Sequence, residues 1–187
     1  MEGLSTRTLN NPSKQTEEEA VMAHHNVSSL NDLYIHELHD IYSAEKQIIN
    51  ALPKMAEATS NTELKNAFME HMEASKNHCS RLDRIFESID EKPDNKTCEG
   101  MQGIISEGED MLSMDTDPDL KDAALISSAQ RVEHYEMAVY GTLRNWAQRL
   151  GREEDAELLQ QNLNEEGETD HYLTELARNI NPKAAQH

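Results

Sequence analysis

Residues 130–151, QRVEHYEMAVYGTLRNWAQRLG, and residues 158–177, LLQQNLNEEGETDHYLTELA, decide the fold. In each, apolar residues recur at intervals of three and four, the spacing of one helix face. Leu125, Ala129, Val132, Tyr140 and Leu143 form the first stripe; Leu159, Leu163, Leu173, Leu176 and Ala177 form the second. Asp117-Pro118 supplies a cap with proline at the first helical position, so this helix is predicted from there to Leu150, where Gly151 stops it. The next covers about Arg152 to Ile180, before Pro182. Stepping about 100° per residue places Glu136 at the middle of the first stripe with Glu133 on its flank. It also puts Glu166 at the centre of the second, with Asp170 roughly 50° away.

Upstream, Ser29 is a candidate cap for a helix whose stripe is Leu30, Leu33, Tyr34, Leu38, Ile41, Ile48 and Leu52. Pro53 is expected to end or kink it. A second helix begins at Asn61 or Thr62, follows Leu64, Phe68, Met72, Cys79, Leu82, Phe86 and Ile89, and ends before Pro93. Residues 91–118 make the longest connection, with a short extra helix expected over 97–111. The fold class that follows is all-α: two antiparallel helical hairpins joined by a long crossover, the connectivity of a ferritin-like four-helix bundle. It is expected to span residues 27–181. Residues 1–26, poor in large apolar groups, read as a disordered N-terminal arm, and 182–187 as a C-terminal tail.

Composition sets further bounds. Against 36 Asp and Glu stand 17 Lys and Arg, a net charge of −19, so the surface repels a phosphate backbone and no nucleic acid is expected. No run of 18 apolar residues occurs, so no membrane span is expected, and the N-terminus lacks the apolar core of a signal peptide. With Cys79 and Cys98 forming neither a disulfide framework nor a metal knuckle, the expectation is a cytoplasmic protein.

The first helix adds Glu37 and Glu45 to its stripe, with Asp40 toward the edge. The second offers His71, Ser75 and His78 inward, while Glu70 and Glu73 point outward. Lys46, Lys65, Arg81 and Arg152 fall toward solvent. Carboxylates converging from several helices repel one another strongly at low dielectric, so a positive partner is required. Two iron ions, or manganese, are the simplest one, because hard carboxylate oxygens and an imidazole suit them. The candidate metal ligands are Glu37, Asp40, Glu45, His71, Glu133, Glu136, Glu166 and Asp170. The bland alternative for each is a polar network or an interhelical ion pair, and for His71 a packed core histidine. His78 is left out of the set because Ser75, not Glu, precedes it by three residues. A short internal match, Glu37-Leu-His-Asp40 with Glu133-His-Tyr-Glu136, suggests a pseudo-twofold arrangement.

The stretches HELHDIYSAEKQIINALPKMA (36–56), HMEASKNHCSRLDRIFE (71–87) and the two quoted above resemble the YciE/YciF family of bacterial ferritin-like proteins over residues 28–181. That resemblance implies a ferritin-like bundle, a homodimer, a metal site between the helices and an association with stress response. The sequence departs from the common di-iron pattern of Glu on two helices and Glu-x-x-His on two others. Glu168-Thr-Asp-His171 has the spacing, but both ends lie roughly 150° from the stripe centre. A site richer in carboxylate and poorer in histidine is therefore expected. Two functions are compatible with it: handling of iron with dioxygen or peroxide, or a stress-associated structural or binding protein that acts through dimerisation or a partner.

Overall fold

The protein was analysed as a computed structural model describing residues 27–186, which form five α-helices and, among the described residues, no strand. They are α1 (Leu30–Ala58), α2 (Thr62–Ser88), α3 (Glu99–Ser113), α4 (Pro118–Arg149) and α5 (Glu153–Ala184). The predicted N-terminal arm lies outside the described residues.

Local chemistry explains most of the boundaries. Ser29 and Asp32 form a reciprocal cap, each side chain accepting from the other's backbone N–H. Asn61 accepts from Leu64 N at 3.0 Å and opens α2. Asp117 accepts from Asp119 N ahead of Pro118, and Gly151, at φ 72, takes the left-handed turn that separates α4 from α5. The two prolines behave differently from expectation. Pro53 lies inside α1, which runs on to Ala58 because Met55 and Ala56 beyond it are buried in the core. Likewise α5 passes through Pro182 to Ala184, itself buried, so the helix overruns the predicted start of the tail. Tertiary burial outweighs the lost backbone bond at both sites.

The four long helices pack in the ring order α1, α2, α5, α4, with α3 lying against α1 and α4. Neighbours in the ring run antiparallel. Ser88 near the end of α2 meets Asp155 near the start of α5, and Gln130 in α4 meets Asp170 and Thr174 in α5. Between the neighbours α4 and α1, Thr59 and Ser60 in the α1–α2 turn both hydrogen-bond Asp122 at the start of α4. Leu, Ile and Ala side chains, with Tyr34, Tyr140, Phe68 and Phe86, fill the interior. The crossover helix α3 is capped by a thiol: Cys98 Sγ accepts from Met101 N, while Cys98 N and O bond Ser43 and Gln47 of α1.

Asp122 is only 1 % exposed and accepts three hydrogen bonds from Thr59 and Ser60. Asp122→Ala orphans these donors and is expected to cost about 2–3 kcal/mol in urea unfolding with helicity retained. Lys54→Ala, which breaks the exposed pair with Glu109, is expected to cost less than about 1 kcal/mol.

Candidate metal centre

Four helices each send acidic or imidazole groups to one level of the interior. α1 supplies Glu45, α2 supplies His71 and His78, α4 supplies Glu133 and Glu136, and α5 supplies Glu166; none is more than 4 % exposed. His71 and His78 stand seven residues apart, two helical turns, and so share a face; Glu133 and Glu136 do the same at a spacing of three. The groups make two overlapping sets, Glu45, His78, Glu136, Glu166 and His71, Glu133, Glu136, Glu166, whose ligand atoms lie within 4.8 Å of one another. Glu136 and Glu166 belong to both.

Around the first set, His78 Nδ1 is 3.0 Å from Glu45 Oε1 and 2.9 Å from Glu166 Oε1. Its other nitrogen, Nε2, sits 2.9 Å from Glu165 Oε2, and Arg81 holds Glu165 through both guanidinium nitrogens. Tyr140, fully buried, donates its hydroxyl to Glu45. In the second set His71 Nδ1 is 3.0 Å from Glu133 Oε1, and His71 Nε2 is 3.3 Å from Glu166 Oε2 and 3.7 Å from Glu136 Oε2. Among these imidazole–carboxylate contacts, only those of His78 with Glu45 and Glu165 are hydrogen bonds. Seven of the eight carboxylate oxygens of Glu45, Glu133, Glu136 and Glu166 are buried without a hydrogen-bond partner, as is His71 Nε2. Orphaned buried oxygens are costly, and convergence of several around one point is the arrangement a cation would satisfy.

Without a cation, protons carry the compensation. Burial pushes Glu133 up to about 8 against the opposing pull of His71. Burial, then the Glu166 and Glu45 charges, hold Glu136 well above the usual carboxylate range. Burial disfavours a charged imidazole at His78, but the Glu166 and Glu45 carboxylates set against it outweigh that and raise the group to about 10. At His71 burial is likewise overcome, here by Glu133 and Glu166. Glu166 moves the other way: burial opposes its charge, yet the two flanking imidazoles hold it below the ordinary value.

Of the eight ligands expected from sequence, Glu45, His71, Glu133, Glu136 and Glu166 meet in this cluster. The other three stand apart from it. Glu37 is half-buried eight residues before Glu45, a rise of about 12 Å along the helix. Asp40 instead accepts hydrogen bonds from the Tyr135 hydroxyl and the Cys98 thiol. One turn beyond Glu166, Asp170 accepts from Gln130. Angular phase identifies a helix face but not the height along it: Glu37 sits at the wrong height, whereas Asp40 and Asp170, both away from their stripe centres, turn to partners outside the cluster. The pseudo-twofold pairing of Glu37 and Asp40 with Glu133 and Glu136 therefore does not extend to the cluster. His78, left out of the expected set, is fully buried in it; the detectable signal was its two-turn spacing from His71. The donor set becomes four Glu and two His, not poorer in histidine, and matches in tally the di-iron carboxylate pattern while distributing it differently over the helices. Arg81, expected in solvent, is partly buried against Glu165 and Asn162. Glu168 and His171 are exposed, as their phase required.

Five helices around a buried histidine and carboxylate cluster define an all-α protein with groups capable of holding metal. The chain belongs to the DUF892 family, described as a domain of unknown function, which matches residues 29–186. It is 44 % identical over 161 residues to protein YciF of Escherichia coli K12, covering 85 % of this chain and 97 % of that protein. The crystal structure of the E. coli stress protein YciF gives a TM-score of 0.82 at 43 % identity, over 84 % of this chain and 99 % of that one. YcfI from Rhodopseudomonas palustris gives 0.78 at 38 % identity, over 81 % and 96 %. A Xanthomonas campestris protein shares the fold at 21 % identity, with a TM-score of 0.69 over 85 % and 97 % of the two chains.

The raised groups predict an alkaline weakness of metal-free protein. His78 moves from an ordinary 6.5 to about 10 and Glu133 from 4.5 to about 8, so folding holds protons that unfolding releases. Their stabilisation is complete below the unfolded values and is lost as pH rises through about 8 and about 10. Thermal melts in chelator are expected to fall between pH 7 and 10, and Glu133→Gln to flatten the first part of that decline.

Proposed function

We propose that the chain is a ferritin-like four-helix protein with a carboxylate-rich site for two iron ions, manganese being the alternative, and that it handles iron with dioxygen or peroxide. The carrying observation is the set of orphaned carboxylate oxygens gathered within ligand distance of one another. Four carboxylates also balance the charge of two divalent cations, leaving a neutral site in an apolar interior. Glu136 and Glu166, which belong to both sets, would hold the ions together with Glu45 and His78 on one side and Glu133 and His71 on the other. Bound iron would supply one-electron chemistry toward an oxygen species.

The surrounding residues fit the role of orienting the ligands. Glu165, steadied by Arg81, faces His78 Nε2 and so leaves Nδ1 turned to the cluster. Tyr140 fixes one oxygen of Glu45, leaving the other without a partner. A stress connection comes from the relative YciF, which is described as a stress protein.

One observation favours the second reading, a structural or binding role: charged imidazoles beside ionised Glu166, with protons on Glu133 and Glu136, can compensate the cluster without metal. Metal analysis after anaerobic titration separates the two. Under the metal reading, wild-type protein retains two ferrous or manganous ions per chain, Glu136→Gln and Glu166→Gln lose both, and His78→Ala loses one. Retention of no metal, together with a Glu136→Gln variant more stable than wild type, sinks the metal reading in favour of the structural one.

A further inference from the structure

The cluster has two very different neighbours. Toward α2 and α5 it is flanked by an open surface groove carrying Glu70, Glu73, Glu165 and Glu168, with His71 at its base. On the opposite side, between α1, α3 and α4, lies a small cavity of about 30 Å³. Its walls include Ile48, Ala51 and Leu52 of α1, Ile105 and Leu112 of α3 and Val132 of α4, and the exposed Lys54–Glu109 pair also lines it. At its inner end are His71 and Glu133, both nine-tenths or more buried, with His71 Nε2 and both Glu133 oxygens lacking hydrogen-bond partners. Gly108 of α3 faces Ser128 of α4 in the same wall.

Charge and size select what such a space admits. A bare or hydrated cation would lose its solvation among these aliphatic walls, whereas apolar cavities take up neutral apolar guests readily. The volume suits a molecule of two heavy atoms, since one water-sized probe occupies about 10–15 Å³. The geometry points to a dioxygen chamber: the cavity under α3 delivers a neutral diatomic oxidant to the His71–Glu133 end of the cluster. This inference rests on the two-iron reading above. In the step it serves, dioxygen takes one electron from each of two ferrous ions and two protons, and leaves as hydrogen peroxide. The crossover helix is then a wall of the site, although it contributes no ligand.

Two measurements on the full chain test the chamber. Xenon, a neutral probe of similar size, is added under pressure to metal-free protein and followed by NMR of the Ile48, Leu52, Ile105 and Leu112 methyl groups. Gly108→Val and Ala51→Met fill the space from two different helices, and their melting temperatures and iron stoichiometry report folding and metal loading. A Cβ at Gly108 meets Ser128 Cβ at 3.7 Å, an ordinary contact, so the first variant builds on a tolerated position. The expected result is xenon-dependent shifts at those methyls in wild type and their loss in both variants. The variants should also oxidise ferrous iron by dioxygen several-fold more slowly at unchanged iron stoichiometry. Xenon exclusion from wild type, as a tightly held water would produce, overturns the chamber, as does an oxidation rate indifferent to filling. Failure of wild type to load iron overturns the two-iron reading instead, and is seen separately in the stoichiometry.

Discussion

Four buried carboxylates around two imidazoles are the constraint on which the rest of the interior depends. An apolar core of Leu, Ile and Ala would close by itself, but Glu45, Glu133, Glu136 and Glu166 sit where such residues belong. Their mutual repulsion must be cancelled locally, because solvent does not reach them. Protons on Glu133, Glu136 and the histidines do this in one state; cations can do it in another. Both solutions require the four long helices to keep their ligand-bearing turns at one level.

Contacts away from the cluster hold that level. Asp122 fastens the α1–α2 turn to the start of α4, and Tyr34 reaches Asp155 at the other end of the ring. Arg81 ties α2 to α5 beside His78. The Cys98 cap, bonded to Ser43 and Gln47, seats α3 on α1 and closes the apolar side of the cluster. Because these ties use buried or partly buried polar groups, they fix register more sharply than apolar packing, which tolerates sliding.

Helix existence, order and most caps were legible in the sequence because period, cap residues and glycine act locally. The exceptions at Pro53 and Pro182 arose where burial of Met55, Ala56 and Ala184 decided the outcome, a tertiary effect with no local sign. For the site, facing direction was legible and height was not. Glu136 and Glu166 at their stripe centres, and Glu133 on the flank, meet in the cluster, whereas Glu37 lies two turns from Glu45, and Asp40 and Asp170, away from their stripe centres, find other partners. His78 carries no local sign of its role, because Ser75 stands three residues before it and its acids come from α1 and α5. Asp40 shows the converse, an inward-leaning carboxylate absorbed by a tyrosine and a thiol.

Placing both imidazoles on α2 has a mechanical consequence. Seven residues of one helix set their attachment points about 10.5 Å apart along the axis, a distance that hydrogen bonding within the helix keeps nearly constant. The rings close that gap from opposite directions, His71 approaching Glu166 with its distal nitrogen and His78 with its proximal one. Helix α2 thus works as a rigid caliper with Glu166 between its jaws. Any expansion or contraction at the centre is taken up by rotation of the carboxylates and the imidazole rings, and not by separation of their attachment points on α2.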